Sequence, residues 1–193
     1  MDSRYSTLIF ILTLFVGMTA VSQNKYEREY RLDVEAVPAK AVNYVNSLPV
    51  ASKVKWYREE SLDGFSVEAK ALYRKKKISI EFDETGVLED VEIKIPFDDI
   101  PQITNPGISQ FFDENHDKVR IRKVQLQYTG PDEEVRKTLL NGAPTETTSI
   151  HYEIVVRAKT KGKWESLEYL FTASGEMVRK SVIVSKNIDH FEY

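Results

Sequence analysis

The groups in this chain that could do chemistry are few, and their spacing does not bring them together. Its three histidines, His116, His151 and His190, stand without patterned partners. No G-x-S-x-G, H-E-x-x-H, P-loop or G-x-G-x-x-G stretch is present to supply a nucleophile, a zinc pair or a phosphate cradle. Carboxylates cluster at Asp83-Glu84, at Glu89-Asp90-Glu92 and at Asp98-Asp99. A calcium loop needs oxygen ligands at alternating positions around a glycine, and Asp83-Glu84-Thr85-Gly86 reads instead as a polar hairpin turn. Two basic runs, Arg74–Lys77 and Lys159–Lys163, read as solvated hairpin tips. With no cysteine there is neither a thiol nucleophile nor a thiolate metal site, and stability must come from packing without disulfides. Catalytic residues, metal ligands and cofactors are therefore assigned to none of these positions.

The elements that position the remaining side chains follow from periodicity. Asp2 and Arg4 precede an apolar run from Leu8 to Val16, and small and polar residues follow as far as Ser22. A run this short, ending A-x-S, predicts a secretory signal peptide over residues 1–22, too short for a transmembrane anchor. Residues 23–36 read as a loose lead-in, in which Tyr30, Leu32 and Val34 permit a short strand. Pro38 opens a helix with Ala41, Tyr44, Val45 and Leu48 on one face, closed by Pro49. Four strands then alternate apolar and polar residues: Val54 and Trp56; Phe65, Val67, Ala69, Ala71 and Tyr73; Ile78, Ile80 and Phe82; Val87, Val91, Ile93 and Ile95.

The plan then recurs. Residues 97–105 form a linker, and Pro106 leads a helix with Ile108, Phe111 and Phe112 on its apolar face. Val124, Leu126 and Tyr128 echo the first strand, and Tyr152, Ile154, Val156 and Ala158 the second. Leu167, Tyr169 and Phe171 follow Ile78, Ile80 and Phe82 at an offset of 89 residues, as Gly175 follows Gly86. The expectation is an α+β fold of two tandem repeats, residues 37–96 and 106–185, each a helix on a four-stranded antiparallel sheet. The tail is 186–193. The insert 129–149 breaks the symmetry: Pro131, Val135, Leu139 and Asn141-Gly142 predict a small helix, read as a tolerated surface insertion.

An antiparallel sheet covered on one side by helices normally turns a polar face to water. Strand parity instead places Tyr57, Leu72, Leu88, Val155, Trp164, Leu170 and Ile183 on that face, with Met177 and His151 beside them. They read as a candidate partner-binding surface with Tyr57 and Trp164 as anchors. The rival reading is a parity slip at a bulge, or cover from the N-terminal strand or the insert.

The chain resembles the bacterial PepSY-like family, related in fold to the beta-lactamase inhibitor protein. The likeness rests on Val37-Pro38 opening a helix, on K-V-K-W-Y (Lys53 to Tyr57), on I-S-I-E-F-D-E-T-G, and on its second copy ending L-E-Y-L-F-T-A-S-G-E. It implies a periplasmic or secreted, non-enzymatic protein whose sheet can hold, inhibit or sense a partner protein. The absence of cysteine departs from the disulfide-bearing inhibitor. No family inhibitory residue maps onto this chain. An alternative is a structural or self-associating envelope protein. Nucleic acid is not an expected partner, because 27 basic and 30 acidic residues are mixed along the chain for a net charge of −3. Once the leader is removed, no membrane anchor is expected.

Overall fold

The computed structural model describes residues 23–25, 28–50, 53–61 and 64–184. The predicted signal peptide, the C-terminal tail, His190 and the turn residues Leu62 and Asp63 lie outside them. In chain order the elements begin with two short strands, β1 (Gln23–Lys25) and β2 (Arg28–Leu32). Helix α1 (Ala39–Asn46) follows, then β3 (Lys55–Glu60), β4 (Phe65–Tyr73), β5 (Lys76–Phe82) and β6 (Leu88–Lys94). A second helix, α2 (Asn105–Asn115), precedes β7 (Lys118–Thr129). Helix α3 (Asp132–Asn141) then leads into β8 (Ser149–Thr160), β9 (Lys163–Thr172) and β10 (Met177–Ile183). None of these helices is long and apolar enough to cross a membrane.

The two expected four-stranded sheets are in fact one. β6 pairs antiparallel with β7, from Val91 opposite Tyr128 to Lys94 opposite Gln125, so the strands run β1-β10-β9-β8-β7-β6-β5-β4-β3-β2. All neighbours are antiparallel except β1 and β10. Joining the halves removes two sheet edges whose backbone groups would otherwise lack ladder partners. The lead-in is also more ordered than its polarity predicts, because it supplies both outermost strands. β2 takes up the short strand that Tyr30 and Leu32 permit; it buries almost nothing and is held by its backbone ladder to β3.

All three helices pack on one face. Their apolar residues, Ala41, Val45, Ile108, Phe112, Val135 and Leu139, join a single core with Val67, Ile80, Phe82, Val91, Ile154, Tyr169 and Phe171. The insert is therefore not a surface ornament: Val135 and Leu139 are fully buried. The end of α3 is fastened to the first half of the sheet. The Tyr73 hydroxyl donates to the Leu139 carbonyl, and the Arg74 guanidinium donates to that of Leu140 at 3.0 Å. These satisfy carbonyls that a helix C-terminus leaves unpaired, and Gly142 ends the helix in the left-handed region. The basic turn at Arg74 thus has a structural use. A cavity of about 190 Å³ remains beneath α3, between Leu139 and the sheet residues Tyr73, Ile93 and Leu126.

Each of the two similar hairpins is wedged against the start of a helix. In the first, the Asp83 N–H donates to the Val87 carbonyl at 2.9 Å and the Gly86 N–H to the Asp83 carbonyl at 3.0 Å. The second repeats both bonds 89 residues later: Thr172 N–H to Glu176 carbonyl at 2.9 Å, and Gly175 N–H to Thr172 carbonyl at 3.0 Å. Gly86 touches the Pro38–Ala41 turn and Gly175 the Thr104–Ile108 turn, so each hairpin holds the N-terminus of its own helix. Two of the three strand irregularities share the offset; the third is Arg122, an extra residue of β7 between the pairs Ile121–Val156 and Lys123–Val155. Glu89 is an extra residue opposite β5, between the pairs Phe82–Leu88 and Glu81–Asp90. Val178 is an extra residue opposite β9, between the pairs Phe171–Met177 and Leu170–Arg179.

Candidate functional site: the open sheet face

With the helices on one side, the other face of the sheet is built from the alternate residues of every strand. Neighbouring strands lie about 4.8 Å apart, so side chains opposite one another on this face are in contact. One row crosses from β3 to β9 through Lys55, Lys70, Ser79, Glu92, Gln127, His151 and Thr172. Beside it run Tyr57, Glu68, Glu81 and Asp90 on one flank and Lys94, Gln125, Glu153, Leu170 and Arg179 on the other. The long side chains cover one another's stems. Glu68, Glu92, Glu153 and Glu168 are consequently buried on a face that carries no helix, together with Ser79, Gln125, Gln127 and Ser181.

Buried carboxylates are tolerated where partners offset their lost hydration. The Lys70 ammonium lies 2.9 Å from Glu68 and 2.6 Å from Glu29. Burial alone would lower its pKa, but the two carboxylates hold it above the ordinary lysine range. The Ser79 hydroxyl donates to Glu68 as well. Lys123 pairs with Glu153 at 3.3 Å and Arg179 approaches Glu168 at 3.9 Å. Glu92 accepts from the side-chain amides of Gln125 and Gln127. Glu29, Glu59 and Glu68 converge closely enough to hold a cation, and the Lys70 ammonium is the cation found bonded to two of them. Asp83 is committed to its turn, accepting from Thr85 N–H at 2.8 Å and Val87 N–H at 2.9 Å. Its carboxyl is held below the usual range by the Thr85 hydroxyl first and then by Val87 N–H.

The seven residues expected on this face divide. Tyr57 is half-buried on it, with the Lys70 ammonium 4.8 Å and the Arg31 guanidinium 6.0 Å from its ring centre. Trp164 is held alike, with Arg120 at 5.0 Å and Arg157 at 5.8 Å. Val155 is only 7% exposed, opposite Lys123 and Glu168. Leu170 is half-buried between Glu153 and Arg179, and Ile183 is half-buried on β10. Leu72, 41% exposed, stands opposite Lys77. Leu88 is a correction: it belongs to the core on the helical side, paired with Phe82. The extra residue Glu89 shifts parity by one, which turns Leu88 inward and leaves Val87 exposed. Val178 does the same to Met177, which packs against the core. The surface is thus a ladder of paired charges with spaced apolar residues, not an apolar patch.

What sequence reasoning missed was the burial of the acids. Alternation names Glu68, Glu92, Glu153 and Glu168 as outward, but their cross-strand partners follow only from the register. The histidines also separate. His151 lies in the central row, its pKa lowered by burial and by Arg179. His116 is on the helical side, its ring nitrogens 2.7 Å from the Thr160 and Tyr169 hydroxyls. Burial, then Lys180, lowers its pKa against the opposing pull of Asp117 and Glu165. Its neutral form contributes stability that is fully present above the unfolded value of about 6.5, and that is lost as pH falls through the lower folded value. Denaturant unfolding of the wild type should therefore show stability dropping over that acid window. The profile of His116→Gln should be flatter; an unchanged slope would remove His116 as its source.

A scan against family models matches none, and no curated protein is similar in sequence at a significant level. Solved structures do match. A DUF2874 family protein from Bacteroides uniformis is 14% identical, with a TM-score of 0.51 over 78% of this chain and 93% of its own. A BLIP-like protein from Bacteroides fragilis is 15% identical, with a TM-score of 0.49 over 80% and 92%. A proposed periplasmic protein from Bacteroides eggerthii is 11% identical, with a TM-score of 0.49 over 76% and 88%. At these identities the likeness is one of fold: helices on one face of a long antiparallel sheet, shared with the Bacteroides uniformis protein.

Proposed function

We propose that this chain is an exported, non-enzymatic binding protein of a bacterial cell envelope, periplasmic or secreted, that engages a partner protein through its open sheet face. One observation carries the reading. The face holds buried carboxylates, amides and hydroxyls in cross-strand bonds, and cations lie against the rings of Tyr57 and Trp164. Side chains already fixed lose little freedom on association, and aromatic residues with arginines are the commonest strong contributors to protein interfaces. Exposed lysines and glutamates on an ordinary wet face need no such ordering. Export rests on the apolar run at Leu8–Val16. A non-catalytic role is supported by the spacing of the histidines, with both ring nitrogens of His116 tied to hydroxyls. Inhibiting or sensing the partner are the actions such a face allows. Duplication of one helix-and-hairpin unit accounts for the recurrence of the Glu89 and Val178 bulges and of both turns at one offset.

The test is capture from an envelope extract of the source organism, with a Tyr57→Ala/Trp164→Ala variant alongside. A protein retained by the wild type and lost by a variant of unchanged circular dichroism is the expected result. Equal retention by both would remove this face from the account.

A further inference from the structure

One corner of the open face differs in its charge balance from the rest. Lys118 of β7 stands directly opposite Lys159 of β8, and two residues along the strands Arg120 stands opposite Arg157. Trp164 of β9 lies opposite Lys159, and both arginines lie against its ring. Like charges placed directly opposite one another on a sheet destabilise it. Lys55 likewise opposes Lys70, but there Lys70 is neutralised by Glu29 and Glu68. Lys123, Arg179 and Lys70 each have a carboxylate of the chain, whereas Lys118, Arg120, Arg157 and Lys159 make no ion pair with any described residue. The nearby Asp117 carboxylate accepts instead from the Gly162 N–H at 3.2 Å. Lys118, Arg120 and Arg157 are exposed, and Lys159 and Trp164 half-buried.

The geometry points to this corner as a binding site for an extended acidic segment of a partner protein, with carboxylates at alternate residues. The inference rests on the reading of the open face as a partner surface and assigns chemistry to one end of it. The two basic rows are two residues apart along β7 and β8, a separation of about 7 Å. Alternate side chains on one edge of an extended peptide have that same spacing. Each carboxylate would lie between two cations that now repel each other, and the arginines offer the fork that a carboxylate accepts in two parallel bonds. Trp164 supplies an apolar wall beside them. A membrane surface fits less well, because the next rows of the same face add no cation that lacks a carboxylate: Lys123 pairs with Glu153 and Arg179 approaches Glu168.

The corner carries its own reporter, since the other tryptophan, Trp56, is buried in the core. The purified protein would be titrated with a blocked hexapeptide alternating glutamate and threonine. Parallel titrations would use a peptide with the same composition but paired glutamates, and phosphatidylglycerol vesicles. The expected result is a saturable, salt-sensitive change in emission with the alternating peptide. It should vanish in Trp164→Phe and weaken at least about tenfold in Arg120→Ala/Arg157→Ala, both exposed positions that leave the core intact. A response to vesicles without one to the peptide would overturn the inference in favour of a lipid surface. Equal responses to both peptides would overturn the spacing argument, and no saturable response would overturn the site. Partner capture that survives Arg120→Ala/Arg157→Ala but fails in Tyr57→Ala would defeat this corner alone and leave the wider face reading standing.

Discussion

Phe171→Ala should lower the unfolding free energy by about 3–5 kcal/mol, the range for deleting a fully buried aromatic side chain. Phe171 is entirely enclosed, and Phe111 and Phe112 of α2 meet its ring edge-on at centroid distances of 5.4 and 5.6 Å. Tyr169 lies 6.0 Å away and closes the cluster. Truncation removes the transfer energy of the ring and these edge-to-face contacts. It also opens a void that α2 cannot fill, because the hairpin at Gly175 fixes the helix start. Phe82 occupies the corresponding place in the first half, between Tyr44 and Trp56, and its truncation should have an effect of similar size. Chemical denaturation of the two variants checks this, with the change appearing in the midpoint and not in the slope. A loss below about 1 kcal/mol at either site would contradict the packing described, set against the usual range for a buried phenylalanine.

Gly175→Ala should destabilise by about 2–4 kcal/mol, and Gly162→Ala by only about 1 kcal/mol. Both glycines lie in the left-handed region, at φ 85° and 83°, so an alanine at either meets the same backbone penalty. Their surroundings differ. A Cβ at Gly162 would meet nothing within 4 Å, whereas one at Gly175 would come 2.6 Å from the Thr104 carbonyl oxygen and 3.4 Å from Gly107. Those are backbone atoms in the first turn of α2, and Thr104 is already tied down by its own hydroxyl, which donates to the Ala173 carbonyl at 2.6 Å. Relief therefore requires the hairpin to lift away from the helix. Thermal or denaturant unfolding of the two variants side by side separates the shared conformational term from the contact. Equal losses would show that the hairpin does not grip the helix.

Much of this was legible in the residues and some was not, for identifiable reasons. Pro38, Pro106 and Pro131 mark the three helix starts, and alternation places Val67, Ile80 and Tyr169 on the core side, because each signal is local in the chain. Single-residue bulges defeat alternation: Glu89 and Val178 carry no mark of their own, so parity alone puts Leu88 and Met177 on the wrong face. The joining of two sheets into one depends on β6 meeting β7, a pairing across a helix that periodicity cannot register. Helix α3 is legible as a helix but not as a core element, since Val135 and Leu139 declare an apolar stripe without saying what it covers. At the candidate site, Tyr57 and Trp164 fall on the open face as parity predicts. The ion pairs around them depend on register across several strands, which no single strand records.

That face is the central claim, and hydroxyl-radical footprinting of the protein with and without a captured envelope partner tests it most directly, because it reads side-chain exposure residue by residue. Tyr57, Trp164 and Leu170 should lose reactivity when the partner binds, while exposed residues away from that face, Ile103 and Leu140, keep theirs. Protection at Ile103 and Leu140, with Tyr57 and Trp164 unchanged, would place the interaction elsewhere and contradict the account.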